Sequence, residues 1–422
     1  MLNVYFIFTF LIYFFLKFFL KLRINKKKED PKRFIEKLGL INNDFHKNEV
    51  VWFHGVSVGE LKSLFPIIDS FIRRNHKVLV TTSTLSSYEI YKIKYNNNHN
   101  VCHQFAPLDC PQIIKKFFDY WNLKIIFFSD SEFWPNQIFE AKKRKIPIVL
   151  LNGRISLSSF KKWKFFRYYL KKILKCFSII LCQSLEHKKR FEFFYEKNCT
   201  DIGNLKFIHD KKIENNLINK NLKLLNKIIF SGLSTHDTEE EACINAFINA
   251  KKIQKNLVHI IIPRHIQRVS QIEELLEKKN IKKKIINKVE EIDDEEKVYI
   301  VNSYGKTNEF LNISKIVFMG GSLIKHGGQN PIEVALNNSY IFTGKYIDNF
   351  KEIYSYLLQL GSVELVNSSE DLKNNIINCL NFKKYENINT REKILIKGEE
   401  ILQKTLDTLD NFIKDNRVFD KT

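Results

Sequence analysis

Short apolar runs alternate with amphipathic helical stretches along most of this chain, and small-residue loops join them. Such alternation is the pattern of parallel sheets covered by helices on both faces. Ten runs read as strands: Val50–Phe53, Val78–Thr82, Ile125–Phe128, Ile148–Leu151, Ser178–Cys182, Ile228–Phe230, Leu257–Ile262, Val298–Val301, Ile316–Met319 and Ile341–Thr343. With 422 residues the chain is too long for one core, and about 100–200 residues per domain suggests two. The expected fold is therefore α/β, two Rossmann-like doubly wound domains facing one another across a cleft.

The most informative joint is KIVFMGGSLIKHGGQNPIEVA, Lys315 to Ala335. An apolar run is followed by two glycine pairs, and then Asn330, Pro331 and Glu333 mark a helix start. Bare backbone and a helix N-terminus suit a phosphate, although a tight turn with an internal capping box explains the same residues. Neither a P-loop lysine motif nor GxGxxG is present, which argues against ATP or NAD.

Met1–Leu16 has only Asn3 and Thr9 as plainly polar residues, and Phe18–Leu20 extend the run past Lys17. A spanning helix needs about 20 apolar residues, so this is a short membrane anchor, with a helix lying in the interface as the alternative. Lys17, Lys21, Arg23, Lys26, Lys27 and Lys28 follow it and none precedes it, which puts the body of the protein in the cytoplasm by the positive-inside rule. Both the basic n-region and the small-residue site of a cleaved signal peptide are missing.

The formal charge of +21 calls for a polyanionic neighbour: nucleic acid, an acidic membrane or a phosphorylated substrate, or else a generally lysine-rich surface. No RNP-like, zinc-finger or helix-turn-helix pattern supports nucleic acid. The seven cysteines contain no CxxC pair, so reduced thiols are expected in place of a disulfide framework or a metal site.

The expected organisation is an anchor at 1–22, a first domain at 23–208, a linker at 209–227, a second domain at 228–385 and a helical tail at 386–422. At its strand ends the first domain collects Glu60, Asp130, Glu132, Arg154 and Lys206. The second offers Arg264, His265, the loop Tyr304–Lys306 and the glycine-rich stretch to Glu333. An acid-rich mouth facing a phosphate-friendly one suits transfer of a group from a nucleotide to an acceptor. Glu60 at a helix start is the candidate base, and Lys206, Arg264 and the helix start at Asn330 are candidates to meet charge on the leaving phosphate. Each has a structural alternative: Glu60 as a dipole partner, Lys206 as surface, Arg264 as half of an ion pair.

The motifs RFIEKLGL, HGVSVGE, TTSTLS, FAPLDCP, DSEFWPN, LLNGRIS, IGNLKF, STHDTEE, IIPRH and GGSLIKHGGQNPIEVA, in that order from Arg33 to Phe350, resemble the 3-deoxy-D-manno-octulosonic acid (Kdo) transferases of lipopolysaccharide assembly. The resemblance implies an inverting, membrane-associated glycosyltransferase of the GT-B fold that needs no metal or cofactor. Its donor would be cytidine 5′-monophosphate-Kdo (CMP-Kdo), bound by the second domain. Its acceptor would be the lipid A precursor, lipid IVA, held by the first at the cytoplasmic face of the inner membrane. By the matching motifs Glu60 would be the general base, with Asp130 and Lys206 stabilising the transition state. Pro263, Arg264, Tyr304, Gly305, Lys306, Asn330, Pro331, Ile332 and Glu333 would hold the nucleotide sugar. Two positions depart from the family pattern: Asp130 stands where a glutamate is usual, and Lys306 where an acidic residue is expected. Other readings are a different GT-B nucleotide-sugar transferase or epimerase, and an inactive membrane-tethered binder of anionic lipid.

Overall fold

A computed structural model of the chain describes residues 2–41, 44–196, 199–209, 224, 226–293, 297–386 and 388–419. It divides into two compact units, Met1–Asp210 with Lys397–Thr422, and Lys211–Ile396. The expected linker at 209–227 lies almost wholly outside the described residues.

The first unit is built on strands β1 (Glu49–His54), β2 (Lys77–Thr82), β3 (Val101–Phe105), β4 (Asn122–Ser129), β5 (Ile148–Gly153), β6 (Ile179–Cys182) and β7 (Cys199–Asp201). They form one sheet in the order β3-β2-β1-β4-β5-β6-β7, every pair parallel. Residues Val50–His54 and Ile148–Gly153 are buried throughout, as strands covered on both faces must be. One face packs Trp52, Phe117, Phe118 and Phe128 into an aromatic core with Ile114, Leu150 and Leu170. The helices start where the sequence caps them. Ser57, Thr84, Ser156 and Ser184 accept main-chain N–H bonds at their N-caps, and Pro111 and Pro135 open two others.

The second unit repeats the plan with β8 (Ile228–Thr235), β9 (Leu257–Pro263), β10 (Lys283–Ile286), β11 (Val298–Val301), β12 (Ile316–Met319), β13 (Tyr340–Thr343) and β14 (Val363–Leu365). Its order is β10-β11-β9-β8-β12-β13-β14, again parallel throughout. The stretch 386–422, expected as a separate tail, divides within the helix Thr390–Asp415. From Lys397 onward it belongs to the first unit, where Arg74 pairs with Asp410 and the ring of His76 stacks on Phe419 at 4.2 Å. Gly398 permits this: a Cβ there would lie 2.4 Å from the carbonyl oxygen of Phe207.

In both sheets the order reverses beside the first strand, between β1 and β4 and between β8 and β12. Ligands of open α/β sheets bind outside the carboxyl ends of the strands at such points.

The N-terminal helix, Leu2–Asn25, is long and apolar enough to cross a membrane. One side lies against the first unit: Ile12, Tyr13, Leu16 and Leu20 pack with Leu38, Cys110 and Ile113. Tyr5 donates its hydroxyl to Asp109 Oδ2 at 2.7 Å, and Asn136 Nδ2 donates to Thr9 Oγ1 at 3.2 Å. The other side exposes Phe8, Leu11, Phe14, Phe15 and Phe18.

Candidate functional site

The joint after β1 carries Glu60 into the first turn of helix Val58–Arg73. Glu60 Oε2 accepts from the Val56 N–H and Oε1 from the Ser57 hydroxyl, both at 2.8 Å, while Ser57 Oγ accepts from the Glu60 N–H at 3.3 Å. These reciprocal hydrogen bonds, a variant of the capping box in which the N–H of Val56 replaces that of Ser57, fix the carboxylate. Burial raises the Glu60 pKa above the ordinary carboxylate value, and the negative charges of Asp130 and, less, Glu132 push the same way. The hydrogen bonds from Ser57 and Val56 oppose the shift. A carboxylate raised toward neutrality, yet held by donors in its ionised form, is suited to accept a proton.

Asp130 follows β4 across the reversal from β1, in the left-handed region at φ +54°. Its Oδ1 accepts from Asn152 Nδ2 at 2.6 Å, and its Oδ2 lies 3.3 Å from Lys206 Nζ. Asn152 in turn accepts from the Leu205 N–H at 3.0 Å. The three motifs DSEFWPN, LLNGRIS and IGNLKF are thus clasped together, and Lys206, with a side chain only 13% exposed, is no surface lysine. The shorter carboxylate at position 130 still reaches both partners.

Glu132 accepts from Trp134 Nε1 and lies 3.8 Å from His54 Nε2. Thr81 Oγ1 accepts from Trp52 Nε1 and lies 2.8 Å from His54 Nδ1. His54 and Thr81, buried on β1 and β2, escaped the sequence reading because a strand histidine and a strand threonine carry no spacing signal. Asp109 also escaped it: its carboxylate takes the N–H groups of Asn136 and Gln137 at 3.1 and 2.9 Å, tying FAPLDCP to DSEFWPN. A cavity of about 290 Å³, lined by Ser131, Glu132, Trp134, Arg154, Ser159 and Trp163, opens beside these acids.

In the second unit Pro263 is buried at the end of β9 and Arg264 is exposed, its N–H donating to Thr235 O at 3.0 Å. Tyr304, Gly305 and Lys306 form the loop after β11, where Tyr304 is exposed and Gly305 has φ +79° with open space around it. Asn330 Oδ1 accepts from the Ile332 N–H at 3.2 Å. The helix expected there is a single turn, Ile332–Ala335. Pro331 and the side chain of Ile332 are buried, and Glu333 is partly exposed. All these residues lie at the carboxyl edge of their sheet.

The glycine-rich turn differs from expectation. Gly321, Ser322 and Leu323 donate their N–H groups to Glu239 of STHDTEE, at 2.7, 3.0 and 3.0 Å. A buried carboxylate, not a phosphate, therefore fills the first half of the loop. Gly320 is required because a Cβ there would sit 2.2 Å from Ser234 O, and Gly321 because its φ is +68°.

Two parallel seven-stranded sheets, each reversing its order beside its first strand, make up a fold of the GT-B class. The fold is shared with the UDP-GlcNAc 2-epimerase of Neisseria meningitidis, solved with UDP-GlcNAc, at 12% identity over 85% of this chain and all of that one, TM-score 0.58. A family profile described as 3-deoxy-D-manno-octulosonic-acid transferase (kdotransferase) matches residues 32–209. The 3-deoxy-D-manno-octulosonic acid transferase of Rickettsia bellii is 30% identical over 415 residues, covering 96% of this chain and 97% of that protein. That of Haemophilus influenzae is 29% identical over 377 residues, 87% of this chain and 88% of its own length. The chain belongs to the Kdo transferase family.

Proposed function

We propose that the protein transfers Kdo from CMP-Kdo to a hydroxyl of the lipid A precursor, lipid IVA, with inversion, at the cytoplasmic face of the inner membrane. The observation that carries this is the group at the first switch point: Glu60 with a raised pKa, and Asp130 held between Asn152 and Lys206. Glu60 takes the proton of the acceptor hydroxyl as that oxygen attacks the anomeric carbon of Kdo. The bond from that carbon to the CMP phosphate breaks, and CMP departs with the electron pair. Lys206, oriented by Asp130, offers positive charge to the developing anion, a type of contribution worth roughly 10²–10³ in rate. The cavity beside Trp134, Arg154 and Trp163 suits an acceptor sugar bearing a phosphate, with aromatic faces for the ring and a guanidinium for the anion.

On the second unit Pro263, Arg264, Tyr304, Gly305, Lys306 and Asn330–Glu333 hold the nucleotide sugar, Glu333 reaching ribose hydroxyls. The apolar side of helix Leu2–Asn25 and the basic residues that follow it supply the membrane attachment. Measuring nucleotide release from CMP-Kdo and from UDP sugars tests the reading. Release of cytidine monophosphate is expected, and turnover with a UDP sugar alone would sink it.

A further inference from the structure

Three histidines that no part of the proposed reaction uses gather at the switch point of the second sheet. β8 runs on to His236, β9 to Arg264 and His265, and β12 through the glycine turn to His326. The rings of His236 and His326 lie 4.6 Å apart between centroids, and those of His236 and His265 lie 6.0 Å apart. A Cβ on Gly321 would stand 3.5 Å from His236 Nε2, 3.5 Å from Gln329 Nε2 and 3.4 Å from His326 Cδ2. The bare turn thus faces these side chains at close quarters.

The position of His236 is enforced. Its N–H donates to Glu239 Oε2 at 3.1 Å, and Glu239 binds the three N–H groups of the β12 turn. One carboxylate therefore pins the end of β8 to the end of β12. Those three main-chain donors are therefore already taken and do not meet an anion arriving at this crevice. His236 Nε2 is buried and has no hydrogen-bond partner among the described residues. Arg264 is exposed, and its charge acts on His236. A buried polar atom left unpaired is costly, and a ligand that pairs it recovers that cost.

We infer that His236, supported by His326, His265 and Arg264, binds an anionic oxygen of the nucleotide-sugar donor through Nε2. This rests on the donor reading above. Such a donor carries two groups of that chemistry, the phosphodiester and the sugar carboxylate.

The test is calorimetric titration of the full chain with CMP, and steady-state kinetics with CMP-Kdo, for wild type, His236→Ala and His236→Gln. Alanine should weaken CMP binding or raise the donor KM by about tenfold or more, as loss of a hydrogen bond to a charged group does, with kcat little changed. Glutamine, whose amide nitrogen reaches the place of Nε2, should recover most of the loss. A loss already seen with CMP identifies the phosphate; one seen only with CMP-Kdo identifies the carboxylate. Unchanged CMP affinity and donor KM in His236→Ala overturn the inference. So does a glutamine variant no better than alanine in which both melt below wild type, because that marks a structural role. A wild type that binds UDP and not CMP refutes the donor reading alone, and the same three proteins titrated with UDP then decide for or against His236.

Discussion

Lys206 Nζ lies 3.3 Å from Asp130 Oδ2, and the charge this pair governs reaches Glu60, whose pKa the Asp130 carboxylate helps to raise. Replacing Asp130 by asparagine removes one of the causes of that shift. The acid limb of the pH profile of kcat/KM, where Glu60 gains a proton and ceases to be a base, should move to lower pH even as the maximal rate falls. An acid limb that stays in place would dissociate Asp130 from the base.

Glu239 is a structural anion in the place where the sequence suggested a bound one. It is fully buried and receives four main-chain N–H groups, from His236, Gly321, Ser322 and Leu323. Glu239→Ala leaves these buried donors unpaired, at about 1.5–3 kcal/mol for each hydrogen bond to a charged group before relaxation. A fall in stability of about 3 kcal/mol or more in urea titration, together with lost nucleotide binding, is expected.

Acid sensitivity should track His259. Its ring stacks on Phe230 at 4.5 Å, Nδ1 lies 2.9 Å from Phe230 O, and complete burial pushes its pKa from 6.5 down to about 4. The folded protein holds the neutral ring, so the associated stability is full above about pH 6.5 and is lost progressively as pH falls from there to about 4. Linkage puts the loss between pH 7.5 and 5 at about 2 kcal/mol. In His259→Phe the difference between urea midpoints at these two pH values should shrink accordingly; an unchanged difference would assign the acid sensitivity elsewhere.

The two sides of helix Leu2–Asn25 should behave differently. Deleting the helix uncovers Cys110 and Ile113 and takes Tyr5 from Asp109, so the truncated chain should melt lower as well as leave the membrane. Changing the exposed Phe8 and Phe15 to lysine should weaken sedimentation with anionic vesicles and leave the melting temperature nearly unaltered.

The strands that the sequence pattern missed are β3, β7, β10 and β14, and these are the four edges of the two sheets. An edge strand is paired along one side only, and VCHQF, CTD, KKII and VEL lack the continuous apolar run that marks Ile316–Met319. Glu60, Asp130 and Arg264 were legible because small-residue loops after apolar runs mark the carboxyl ends of strands. What was hidden depends on pairing across distance. Glu239 lies more than eighty positions from the glycine turn it fills, and His236, His265 and His326 meet only because β8, β9 and β12 are neighbours in space.

The most direct measurement is mass spectrometry of lipid IVA after incubation with CMP-Kdo, wild type against Glu60→Gln. Wild type should add Kdo to the lipid, and the glutamine variant should do so roughly 10²–10⁴ times more slowly. Lipid IVA left without Kdo by the wild type, or modified equally fast by both proteins, would contradict the account.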